Sequence, residues 1–84
     1  MIKIYYRTNL HMSKGKIAAQ AVHAALGLGG NGMEPVVVLS VSDAKFKEMK
    51  QTNLCYVVKD AGRTEVKPGT ETCLAYRTEG ARGK

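Results

Sequence analysis

The chain has 84 residues, of which 44% are hydrophobic and 24% charged. This is enough for one small globular domain and too little for a second cofactor-binding module. Thirteen basic residues against seven acidic ones give a net charge of +6, which suits an anionic partner such as nucleic acid or a phosphate-rich ligand. No run of 18 apolar residues occurs, so no transmembrane helix is expected. The first residues, MIKIYYRTNL, lack a basic-then-apolar leader, so a cytoplasmic location is expected.

In chain order, IKIYYR at 2–7 alternates Ile2, Ile4 and Tyr6 with Lys3, Tyr5 and Arg7, which predicts a strand. A polar loop, TNLHM, follows. Ser13 is a candidate N-cap for a helix running to about Leu28, with Ile17, Ala21, Ala24, Ala25 and Leu28 on one face. Gly29, Gly30 and Gly32 end it. VVVLSV at 36–41 is a β-branched run of the kind covered on both faces, which predicts a central strand. Ser42 and Asp43 open a second helix over roughly 43–51, with Phe46 and Met49 on its buried side. LCYVV at 54–58 and ETCLAYR at 71–77 complete the strands, and Pro68-Gly69 fits a type II turn between them. Residues 78–84 read as a flexible tail.

The order βαβαββ predicts one α/β domain spanning 1–84: a mixed, mostly parallel four-stranded sheet with helices packed on it. The loops after strands 1 and 3 then leave the carboxyl ends of strands running the same way, the edge where open α/β sheets bind ligands. Residues 13–16 and 60–64 are therefore expected to lie close together.

Those segments carry the polar chemistry. SKGK places Lys14 and Lys16 in the first turn of a helix, where the dipole already makes the environment positive. Lysines there suit a bound anion, although two solvated lysines on an open turn give the same pattern. Lys16, Gln20, His23 and Gly27, spaced four, three and four, share a stripe that either lines a cleft or faces solvent. DAGRT puts Asp60 just past a buried strand, ahead of Gly62, Arg63 and Thr64. Asp60 can pair with a lysine of the first cluster or polarise a water, or it can simply cap its own turn. Cys55 and Cys73 are too few for a disulfide scaffold and match no zinc spacing, so both are expected as reduced thiols.

RTNLHMSKGKIAAQAVHA, followed by KDAGRTEVKPGTETCLA, resembles the type II peptidyl-tRNA hydrolase family over residues 1 to about 77, with Asn9 where that family often has aspartate. The resemblance implies an enzyme that cleaves the ester between a peptide and the terminal ribose of tRNA, without metal or other cofactor. It implies catalytic roles for Lys14, Asp60 and Thr64, and substrate contacts from Lys16, Gln20, His23 and, less directly, Arg63. Against the family pattern the chain is short. GGNGMEP stands where relatives carry a further helix, and relatives add another after the last strand. Sheet left uncovered in this way predicts a homodimer. The competing expectation is a non-catalytic tRNA- or RNA-binding module on the same fold, for which Asp60 would have no use. A protein working through the uncovered sheet face is the third.

Overall fold

The computed structural model describes residues 1–60 and 67–78. Strand β1 (Ile2–Arg7) leads through a 3-10 turn at Thr8–Leu10 into helix α1 (Lys14–Leu28). Strand β2 (Val36–Val41), helix α2 (Asp43–Thr52), β3 (Tyr56–Lys59) and β4 (Glu71–Arg77) follow. Both helices begin where their capping serines predict. Ser13 Oγ accepts from the Lys16 N–H, and Ser42 Oγ accepts from the Lys45 N–H, each over 3.2 Å. Helix α1 ends because Gly29 takes a left-handed φ of +90°, letting its N–H donate to Leu26 O and that of Gly30 to Ala25 O.

The sheet order is β2-β1-β4-β3. Among the described residues only β1 and β2 pair in parallel, while β4 runs antiparallel to both β1 and β3. The sheet is thus mixed, not mostly parallel as the alternation of strands and helices suggests. Only residues 60–70 separate β3 from β4, fewer than the dozen or so that a parallel crossover takes, so β4 folds back antiparallel beside β3. In doing so it occupies the centre of the sheet, and Thr72, Cys73, Leu74 and Ala75 are all buried.

The same arrangement corrects the expectation for VVVLSV. Strand β2 is an edge strand, with Val36, Val38 and Leu39 45%, 42% and 49% exposed. Its β-branched composition reports compatibility with a pleated surface, and does not by itself report burial on both faces.

Each sheet face has its own core. On one side α1 packs Ala24, with Ala21, Ala25 and Leu28, against Ile2, Ile4, Val58, Cys73 and Ala75. The small side chains on both surfaces let helix and sheet approach closely, and the Tyr56 ring lies where a side chain on Gly27 would stand. On the other side α2 packs Phe46 and Met49 against Leu74, flanked by Tyr5, Val41, Val57 and Tyr76. The Tyr5 and Tyr76 rings stack there with centroids 6.0 Å apart. Both cysteines are free thiols, Cys73 buried and Cys55 half-buried. Thr78, assigned to the tail from sequence, is tied down. Its N–H donates to Met1 O, and the Met1 ammonium donates to Thr78 O.

Candidate active site

Because β4 is antiparallel to both its neighbours, β1 and β3 point the same way. Their carboxyl ends share one edge of the sheet, and the start of α1 meets the end of β3 there. The chain leaving β1 is tightened by the 3-10 turn and by His11 in the left-handed region at φ 52°, whose N–H donates to Thr8 O. Buried Met12 then anchors the approach to the Ser13 cap. No acidic residue occupies the first turn of α1. That end of the helix therefore combines the positive dipole with Lys14 and Lys16.

Asp60 is fixed from the other side. Its N–H donates to Thr70 O over 2.8 Å, and its carbonyl accepts from the Gly69 N–H over 2.7 Å. The Lys67–Thr70 turn closes with Thr70 N–H donating to Lys67 O, and Gly69 supplies the φ of +81° that a type II turn requires. A backbone held at both its N–H and its C=O leaves the carboxylate little freedom beyond its own rotamers.

Lys16 reaches across to this carboxylate, with Nζ 2.5 Å from Asp60 Oδ1. The two side chains are only 10% and 6% exposed. Gln20, one helical turn further along α1, directs Nε2 at the same oxygen over 3.4 Å. Gln20 is itself 4% exposed, and its Oε1 accepts from the Thr72 hydroxyl over 2.5 Å. The Cys73 thiol donates to the Gln20 main-chain oxygen. Burial pushes that thiol up to about 11, so Cys73 is neutral across the physiological range.

The structure therefore gathers Lys16, Gln20 and Asp60, three of the residues singled out from sequence. Lys16 forms the ion pair with Asp60, while Lys14 stands exposed at the first position of α1. The polar stripe on α1 divides: Lys16 and Gln20 turn toward the sheet, and His23 is exposed. Arg63 and Thr64 lie outside the described residues.

Sequence reasoning missed Thr72. Strict alternation along ETCLAYR would send Thr72 and Cys73 to opposite faces. The register instead slips between Val58↔Cys73 and Lys59↔Glu71, leaving Thr72 as the extra residue of a bulge. As a result Thr72 and Cys73 both reach Gln20. Nothing in the residue pattern marks that slip. The one available signal was a threonine two residues beyond a proline-glycine turn.

Among the described residues no group of three or more His, Cys, Asp or Glu side chains is placed to hold a metal ion. No helix among them is long and apolar enough to cross a membrane.

Residues 2–80 match the model of a family described as peptidyl-tRNA hydrolase PTH2. A peptidyl-tRNA hydrolase of Haloquadratum walsbyi is 35% identical over 89 aligned positions, covering 86% of this chain and 80% of its own. One from Metallosphaera sedula is 37% identical, covering 83% and 79%. One from Methanothermobacter thermautotrophicus is 36% identical, covering 84% and 79%. With the family model spanning nearly its whole length and relatives of this similarity, the chain belongs to the peptidyl-tRNA hydrolase PTH2 family.

Proposed function

We propose that this chain hydrolyses the ester joining a peptide to tRNA, and that the chemistry takes place at the Asp60–Lys16 pair. The observation that carries the reading is that ion pair, buried at the sheet edge where a helix start without acidic residues meets a strand end. A buried pair is weak evidence for stability, since desolvation offsets much of the attraction. It has a ready meaning in ester hydrolysis.

Water attacks the ester carbonyl carbon, the carbonyl oxygen becomes an oxyanion, and the bond to the ribose oxygen then breaks. The proton lost by the water ends on the departing ribose oxygen. Asp60 orients the attacking water by accepting one of its hydrogens. Lys16 and Gln20 already hold this carboxylate in place, so positioning is its main contribution. The Lys16 ammonium, with amides of the first turn of α1, stabilises the developing oxyanion. Lys14, exposed beside it, completes the catalytic set with Thr64 or contacts tRNA phosphates. His23 and Arg63 are further substrate contacts. The reaction uses no metal or other cofactor, and it takes place in the cytoplasm.

The test is release of free tRNA from an N-blocked aminoacyl-tRNA in the presence of EDTA. The wild-type protein is expected to release it. Asp60→Asn is expected to lose at least about a hundredfold in kcat while binding tRNA almost normally, and Lys14→Ala tests the second lysine separately. Binding without release by the wild type would leave the RNA-binding module as the function.

A homodimer completes the proposal. Val36, Val38 and Leu39 on β2 present apolar surface at a sheet edge, and a second copy would cover it. Sedimentation is expected to show a dimer that Leu39→Glu dissociates, and a monomer at all concentrations would sink this part.

A further inference from the structure

We infer that Thr72 is a positioning residue for the reaction: its hydroxyl, donating to Gln20 Oε1, keeps the Gln20 amide turned with Nε2 on Asp60 Oδ1. The inference rests on the hydrolase reading of the site and assigns a role to a side chain that touches none of the reacting atoms.

The geometry leaves little choice of roles. A glutamine amide presents a donor on one side and an acceptor on the other, and the two ends are nearly equal in shape. Beside an ionised carboxylate only the donor end is favourable. Turned over, Gln20 would set Oε1 against Asp60 Oδ1, and the amide would no longer hold the carboxylate. Thr72 opposes that turn, because its proton is given to Oε1 over 2.5 Å, against 3.5 Å to its other acceptor, Val58 O. Thr72 is fully buried and Gln20 nearly so, so water does not compete for either group. The backbone of Gln20 is gripped as well, through the Cys73 thiol on its main-chain oxygen.

The bulge is what makes this possible. A regular register would aim only one of Thr72 and Cys73 at α1, whereas the extra residue at Thr72 aims both. Two consecutive residues of the most buried strand therefore hold one residue of α1. That residue in turn fixes the oxygen shared with Lys16. Lys16 alone is a poor orienter, being a point charge on a flexible four-carbon stem. A planar amide anchored at its far end adds the direction that the lysine lacks.

The experiment compares wild type, Thr72→Val and Thr72→Ser in steady-state release of tRNA, with thermal melts alongside. Valine keeps the shape and removes the hydroxyl, while serine keeps the hydroxyl. Thr72→Val is expected to lower kcat about tenfold with KM within about twofold of wild type. Thr72→Ser is expected to stay within about twofold of wild type on both. A purely structural threonine would lower the melting temperature in both variants and leave kcat per folded molecule unchanged.

A second measurement needs no variant. In the wild-type protein the Gln20 side-chain amide protons are expected to exchange with solvent about a hundredfold more slowly than those of exposed Gln51. Exchange at the Gln51 rate overturns the inference even if Thr72→Val fails to fold. A folded Thr72→Val with unchanged kcat, or a Thr72→Ser as impaired as the valine variant, also overturns it. A wild type that releases no tRNA counts against the hydrolase reading itself, whereas release that is indifferent to Thr72 counts against this inference alone.

Discussion

Two aspartates stand at corresponding places in this fold and behave differently. Asp60 follows β3 and Asp43 opens α2, and each is met by a cation from another element. The Arg7–Asp43 pair is bidentate, at 2.9 and 3.1 Å, but Asp43 is half exposed. Arg7 also donates to Glu71 O and lies over the Phe46 ring, and the Asn9 side chain accepts from the Asp43 N–H. Through these contacts the cluster ties β1 to α2 and β4. It is a clasp, and its aspartate sits at a helix N-terminus where the dipole favours it. The Lys16–Asp60 pair is nearly dry, and its helix begins with lysines in place of acids. Local preference is satisfied at α2 and violated at α1. Such violations are expected where a site binds an anion, and this contrast is the reason for proposing the Lys16–Asp60 pair, and not the Arg7–Asp43 pair, as the place of the chemistry.

The largest effect that would break this comparison comes from removing each cation. Lys16→Met removes the cation that faces a buried carboxylate, and a destabilisation of about 3–5 kcal/mol is expected together with loss of hydrolysis. A domain of this size has a total stability on the order of 4–12 kcal/mol, so the variant should melt far below wild type. Asp43→Ala removes an exposed partner. It should lower the melting temperature by a small fraction of that amount and leave kcat unaltered. Denaturant titration with parallel activity assays decides. Equal losses from the two substitutions would mean that the Lys16–Asp60 pair is only another clasp.

The same contrast separates what was legible in the residues from what was not. Ser13 and Ser42 were readable as caps because capping is local chemistry, and both helices start there. The meeting of α1 with Asp60 was readable from topology, since it requires only that β1 and β3 point the same way. It survives the correction from a mostly parallel to a mixed sheet. The position of β2 at the edge was not readable, because VVVLSV suits a pleated strand wherever it lies, and the slot beside β1 was taken by the later strand β4. The side of the Gln20 position was half readable. Its stripe was visible, but a glutamine facing a core among alanines depends on Thr72, and Thr72 depends on a register slip. Long-range pairings that break periodicity leave no trace in the periodicity itself.

The smallest effect concerns acid. The Arg7 guanidinium, chiefly through its hydrogen bonds, holds the Asp43 carboxyl below its ordinary value, and Arg77 does the same to Glu34. Arg77 donates to Glu34 over 2.6 and 3.0 Å and to Gly29 O at the end of α1, so this pair is a second clasp. A carboxyl whose folded value is depressed binds its proton less readily in the native state than in the unfolded chain. Its contribution to stability is therefore complete above the unfolded value, near 4, and is lost as the pH falls through the lower folded value. Melting temperature should be flat with respect to these groups between about pH 7 and 5 and decline below about pH 4.5. In 1 M salt the decline should be shallower, because screening at about 3 Å weakens exposed pairs. The double variant Glu34→Gln/Asp43→Asn is expected to flatten part of the acid limb while leaving hydrolysis at neutral pH intact. An acid limb unchanged in that variant would place the titration elsewhere, and the division between clasping and reacting aspartates would lose its support from pH.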